Sequence, residues 1–235
     1  MLQFSRKARG VTLTELMVVL AVVAIVAAIA SNRMTRARPR ANLIGSTVEL
    51  RALLHQARQQ ALVSGADVAV LVFPGVSGQT DSLGRVVVYQ DGLFNFFNAA
   101  SAVHFGAYDP IALGGAKDAS GNFKGEVIET HDLPKGVVFG PATGMGASAA
   151  LPAPFDTIPV TMECSFCAGA GAARRGAVVF DHRGRARFYG ADGPPRVVDG
   201  GSISLTAAEA QGTTPLVRMV AITATTGSLQ SVNLD

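Results

Sequence analysis

The chain opens with a short basic stretch and then turns abruptly apolar: from Leu16 to Ala30 every residue is apolar, and counted from Val11 the stretch reaches 20 residues. At 1.5 Å per residue a helix of that length spans a hydrocarbon core of ~30 Å. Ten of the fifteen residues from Leu16 to Ala30 are Leu, Ile, Val or Met. On an insertion scale they contribute roughly −3 to −6 kcal/mol, against about +3 for one carboxylate at a helix centre. The carboxylate in question, Glu15, stands at the head of the run. The spacing changes after it: between residues 41 and 63, Ile44, Val48, Leu54, Ala57 and Ala61 recur at helical intervals, and Gly65 is placed to end the helix. Beyond Gly65 the pattern becomes β-like. "DVAVLVF", "GRVVVYQ", "GVVFG", "AVVFDHRGRARFY" and "RMVAITATTGSLQSV" mix β-branched runs with glycine-bearing turns. Turns at Asp181 to Gly184 and near Thr226 and Gly227 predict two hairpins, and the Gly- and Ala-rich stretches 98–122 and 141–159 read as long loops.

The apolar run admits three readings. As an ordinary secretory signal, its "AIA" (Ala28, Ile29, Ala30) satisfies the small-residue cleavage rule and would release a soluble β-rich binding protein beginning at Ser31. As a plain anchor it stays in place, with "TLTE" (Thr12 to Glu15) forming a capping box at the helix start. The third reading is a resemblance: "RGVTLTELMVVLAVVAIVAAIA" resembles the class III signal of type IV prepilins and pseudopilins. The resemblance implies cleavage by prepilin peptidase after Gly10, methylation of the new N-terminus at Val11, and pairing of Glu15 with the terminal amine of a neighbouring subunit as helices bundle. A buried ionisable group needs such a partner. Val11 stands where the family usually has Phe, and the first proline comes late, at Pro39.

The segment "STVELRALLHQARQQALVSGADVAVLVF" is similar to the GspH/FimT group, which covers a type II secretion pseudopilin and certain type IV minor pilins, and the two closing hairpins resemble that group's head. The implied fold is α+β and pilin-like: a long N-terminal helix, transmembrane and then amphipathic, packed on an antiparallel β-sheet head. The expected organisation is a leader over 1–10, the transmembrane half of the helix over 11–40, its amphipathic half over 41–65 and an exported head over 66–235. The implied role is structural, in filament assembly or initiation at or near the tip of a type II secretion pseudopilus or type IV pilus. The implied partners are other subunits, the peptidase and the inner membrane, with a single pass and the head in the periplasm.

Charge sharpens this picture. The formal net charge is +3, but the first ten residues carry +3 and Val11 to Arg40 another +3, so everything after Arg40 sums to −3. A globally basic field for nucleic acid is missing. DNA binding for uptake is the alternative, resting on a possible patch of Arg174, Arg175, Arg183, Arg185, Arg187 and Arg196. The positive-inside rule is close to a tie, because Arg33, Arg36, Arg38 and Arg40 follow the run; the resemblance of the leader to the prepilin signal implies a cytoplasmic N-terminus.

"CSFC" holds the two cysteines, Cys164 and Cys167. A haem attachment needs His where Ala168 stands, and a zinc site needs about four ligands. In an exported protein the expectation is a disulfide that fixes a turn. His55, His104, His131 and His182 are scattered, "GGAKD" lacks the spacing of a phosphate cradle, and Asp181 with His182 reads as a solvated turn. No catalytic residue, cofactor or metal site is expected, and the protein is not expected to be an enzyme.

Overall fold

The structure, a computed structural model, describes residues 12–76, 83–91, 96–98, 104–112, 125–140, 151, 153, 155–158, 163–196, 198–207 and 216–233, with the side chains of 29–38 left out. The chain divides into two compact units, Met1–Arg38 and Pro39–Asp235. Helix α1 runs Leu13–Ser64 and carries Pro39 inside it. Proline has no N–H for the carbonyl four residues earlier, so one rung of the helical ladder is missing there.

In the first unit the described side chains of the helix, through residue 28, are all exposed. In the second unit one face is buried: Leu43, Ser46, Thr47, Leu50, Leu53, Leu54, Ala57 and Ala61. Their spacing is that of a 3.6-residue period centred on Leu50. The sequence expectation put Ile44 and Val48 on this face. Both are exposed, at 37% and 62%, because each lies about 100° around the helix from its buried neighbour Leu43 or Thr47. The helix ends where expected: Gly65 takes φ +69° and its N–H donates to the Ala61 carbonyl at 3.1 Å, the left-handed closure that glycine permits.

The head contains two antiparallel sheets rather than one. The strands are β1 Asp67–Phe73, β2 Arg85–Asp91, β3 Glu126–Asp132, β4 Val137–Phe139, β5 Gly176–Phe180, β6 Ala186–Gly190, β7 Pro195–Arg196, β8 Gly200–Ala207, β9 Val217–Thr223 and β10 Leu229–Asn233. The first sheet has the order β3-β2-β1-β5-β6-β7 and the second β10-β9-β8-β4. Alternation decides where each side chain goes. Val68, Val70 and Val72 of β1 join Val86, Val88, Val178 and Phe180 in one core with Ile203, Leu205, Val220 and Ile222 of the second sheet and Leu50, Leu53, Leu54 and Ala57 of α1.

The intervening residues of β1, Ala69, Leu71 and Phe73, face the other way into an aromatic cluster with Tyr89, Phe96, Phe105, Tyr108 and Tyr189. Phe105 and Tyr108 come from the stretch 98–122 expected to be loop, and Phe96 lies just before it. Its described residues are a cover for the sheet's outer face, which explains why β1 is buried at all seven positions. Leu151, Phe155 and Ile158 cover Met219 and Ala221 of the second sheet in the same way.

Candidate functional site: the helix start and the surfaces of the head

The start of α1 is built around Glu15. The Thr12 amide and hydroxyl both donate to Glu15 Oε2 at 2.9 Å, and the Glu15 amide donates to Thr12 Oγ1 at 3.3 Å. This is the reciprocal capping box that "TLTE" suggests, and it satisfies two amides that a helix start would otherwise leave open. Among the described residues the hydrogen bonds to the Glu15 carboxylate both fall on Oε2. Gly10 and Val11, the expected processing residues, lie outside the described residues.

Behind Glu15 the helix surface is apolar and open: Met17, Val19, Val23 and Ile25 are each more than half exposed. A contiguous apolar surface of this kind marks contact with lipid or protein. Among the described residues no helix is long and apolar enough to cross a membrane. The described side chains stop at residue 28, inside the run that the sequence carries to Ala30. Of the four arginines that follow, Arg33, Arg36 and Arg38 fall among the side chains left out, and Arg40 is exposed.

Cys164 and Cys167 are joined by a disulfide across a Cα–Cα distance of 5.2 Å. The pair closes a turn whose Cys167 amide donates to the Cys164 carbonyl at 3.2 Å. Ser165 holds the turn on β8 by two bonds of 2.9 Å, its amide to the Ser202 carbonyl and its Oγ from the Ser202 amide. The consequence is local and specific: Phe166, 1% exposed, is driven into the core against Phe188, with ring centroids 5.2 Å apart.

Five of the six arginines are engaged within the head, and Arg183 is exposed. Arg174 pairs with Glu163 at 3.2 Å, Arg185 with Asp181 at 2.8 Å, Arg187 with Asp67 at 3.1 Å and Arg196 with Asp192 at 3.5 Å. Arg175 is buried; its Nη1 donates to the Phe105 and Tyr108 carbonyls at 3.0 and 2.7 Å, and its guanidinium lies 5.4 Å from the Phe73 ring centre. Burial draws the Arg175 guanidinium below its usual pKa, and the charge of Asp109 opposes this. Of Arg183, Arg185 and Arg187 only Arg187 is on a strand, because β6 begins at Ala186.

Asp181 is committed to the hairpin turn. It is 1% exposed and takes the Arg183 and Arg185 amides at 2.9 and 3.0 Å and Arg185 Nε at 2.9 Å. Burial pushes its carboxyl upward, but the hydrogen bonds from Arg185 and Arg183 and the Arg185 charge outweigh it, leaving the group below the ordinary carboxylate range. His182 is exposed beside it. Among the described residues no three His, Cys, Asp or Glu side chains group to hold a metal ion. "GGAKD" falls outside them.

Residues 5–31 match the prokaryotic N-terminal methylation motif, the signal with which type IV pilin-like proteins begin. The motif implies a membrane-anchored start, processing by prepilin peptidase and assembly with other subunits. The helix followed by antiparallel sheets is the α+β build of a pilin-like fold. No curated protein and no solved structure matches the chain.

Proposed function

We propose that the chain is a minor pilin or pseudopilin of the GspH/FimT type, a structural subunit acting in filament assembly or initiation at or near the tip of a type II secretion pseudopilus or type IV pilus. The carrying observation is the methylation motif over 5–31 joined to a carboxylate, Glu15, that caps its own helix through Oε2. In this reading the peptidase cuts after Gly10 and Val11 is methylated. The helix crosses the inner membrane once, the head lies in the periplasm, and the new amine of a neighbouring subunit docks on Glu15 Oε1. An uncompensated carboxylate in lipid is costly, so only the register that supplies the amine is stable. The protein is a substrate of the peptidase and not itself an enzyme. Ion pairing of four of the six arginines, with Arg175 buried, weighs against a nucleic-acid role.

Intact-mass measurement of the membrane-extracted protein tests the processing. A chain beginning at Val11, with or without one methyl group, supports the proposal; one beginning at Ser31, or retaining Met1 to Gly10, overturns it. Glu15→Gln separates pairing from capping, because glutamine keeps the capping geometry without the charge. Glu15→Gln is expected to enter the membrane normally and to fail in filament incorporation as Glu15→Ala does. Normal incorporation of Glu15→Gln would refute the pairing.

A further inference from the structure

We propose that the β3 edge of the first sheet is a docking strand for an extended, basic segment of another protein, which adds to the sheet alongside α1. A sheet edge offers a row of backbone donors and acceptors to any strand that can reach it. Among the described residues the head has four such edges, and they are unequal. β7 is two residues long and includes Pro195, which has no N–H, and β4 is three residues. β10 has five residues and no charged side chain. β3 has seven, pairs with β2 along its length, and is largely exposed while β1, β2 and β5 are almost wholly buried.

The charge on this edge has one sign. Asp132 is neutralised by Arg85 in a buried pair. Glu126 and Glu129 are exposed, with no ion pair among the described residues. The register places Glu129 opposite Val88 and Glu126 opposite Gln90, with an irregularity between Val88 and Tyr89. That irregularity brings two residues three apart onto the same face, the one His131 shares opposite Val86. Glu49 of α1 reaches His131 Nδ1 at 3.1 Å and is itself 55% exposed, so three carboxylates line the helix side of the edge. Like charges directly opposite are destabilising across a strand pair. A second copy of the same edge is therefore rejected, and a strand with basic residues is accepted.

The helix flank beside β3 suits an added strand. Asn42 Nδ2 donates to the Lys135 carbonyl at 3.3 Å, which with the Glu49 contact sets the flank as Asn42, Gly45, Glu49, Ala52 and Gln56 by helical spacing. The last four are exposed, and a Cβ on Gly45 would meet no atom within 4 Å. The seven residues of β3 extend about 23 Å and the helix from 42 to 56 about 21 Å, so the flank is comparable in length to an incoming strand, with open room at Gly45 and Ala52 and an acidic contact at Glu49.

The test uses the full chain in detergent micelles with two labelled peptides, Lys-Val-Thr-Val-Lys-Val-Thr and the same sequence with Glu for Lys, followed by fluorescence anisotropy at low salt and by hydrogen exchange. The basic peptide is expected to bind about tenfold or more tightly than the acidic one, to weaken with added salt, and to slow exchange over 126–132. Replacing both Glu126→Lys and Glu129→Lys, at exposed positions that leave the core intact, is expected to reverse the preference. Equal binding of the two peptides, no binding of the basic one, or protection confined to Leu229–Asn233 or to α1 overturns the proposal. So does protection of β3 that rises with protein concentration without peptide, which would make a second copy the occupant.

Discussion

Asp132→Ala tests how the edge of the first sheet is held. Asp132 accepts Arg85 Nε and Nη2 at 2.6 and 2.8 Å, and Arg85 Nη1 donates to the Pro110 carbonyl at 2.7 Å. The side chains are 14% and 7% exposed. With charge centres about 4 Å apart and an effective dielectric of about 20, the attraction is ~4 kcal/mol. Removing the carboxylate also strands a buried guanidinium, so the expected loss of unfolding free energy is about 3–5 kcal/mol. Replacing both partners, Arg85→Met with Asp132→Leu, removes the desolvation cost of both charges and is expected to lose no more than about 1–2 kcal/mol.

Urea unfolding of the full chain in micelles can be read by tyrosine emission. The chain has no tryptophan and three tyrosines, and Tyr89, Tyr108 and Tyr189 all lie in the outer aromatic cluster. A pH series adds a second arm. The Arg85 hydrogen bonds hold the Asp132 carboxyl below its ordinary range against the upward push of burial, with the charges of Arg85 and His131 assisting. The folded pKa is therefore depressed. Its stabilisation is fully present above the unfolded aspartate value of about 3.9 and is lost as pH falls through the folded value. The gap between wild type and Asp132→Ala should close over that window. A cost under about 1 kcal/mol at pH 7, or a gap that ignores pH, would refute the reasoning.

Three further outcomes are expected. Gly227 sits at φ +61°, and a methyl there would collide with the Gly184 carbonyl oxygen and lie 3.2 Å from Arg58 Nε; Gly227→Ala should cost about 2–4 kcal/mol, and a melting temperature unchanged in differential scanning fluorimetry would refute the packing described for the two turns. Reduction of the Cys164–Cys167 bond frees only a short loop, so the loss should be about 2 kcal/mol, or roughly 4–8 °C in melting temperature, and a Cys164→Ala/Cys167→Ala chain should be indifferent to reductant. Burial raises the Asp67 carboxyl, with Arg187 pulling the other way. Its stability contribution is present below the unfolded value and is lost as pH rises through the folded one, so Asp67→Asn should gain on wild type as pH rises through the aspartate range, and a pH-independent difference in urea midpoints would contradict this.

Much of the fold could be read from the chain because periodicity and turn chemistry agreed. β1, β2, β4 and the hairpins β5–β6 and β9–β10 coincide with the quoted runs, and Gly184 and Gly227 take positive φ in the turns where they were expected. Beyond the two-residue β7, β3 and β8 were missed. Their period-2 signals, the Val127 and Ile128 of "EVIETHD" and the Ile203 and Leu205 of "GGSISLTA", are diluted by charge on an edge strand and by serine on a buried one. The helix face was shifted by one residue because Leu43 and Ile44 are adjacent and only the sheet beneath selects between them. The arginine cluster misled for a related reason: one-dimensional spacing shows the cations but not Asp67, which lies 120 residues before Arg187. At the helix start the capping partners are local, so Thr12 and Glu15 were visible at once.

The pairing of β1 has a consequence for the order in which the head can form. Val68 to Val72 pair with β5 at Phe180 to Gly176, more than a hundred residues further along. Until that distant stretch is synthesised and available, "DVAVLVF" is a valine-rich heptapeptide with one of its two ladders empty. Such a segment is the kind that seeds intermolecular aggregation, and closing so long a loop is slow. The first described strand of the head is thus among the last to be sealed, so folding yield will depend on what shields it in the interval.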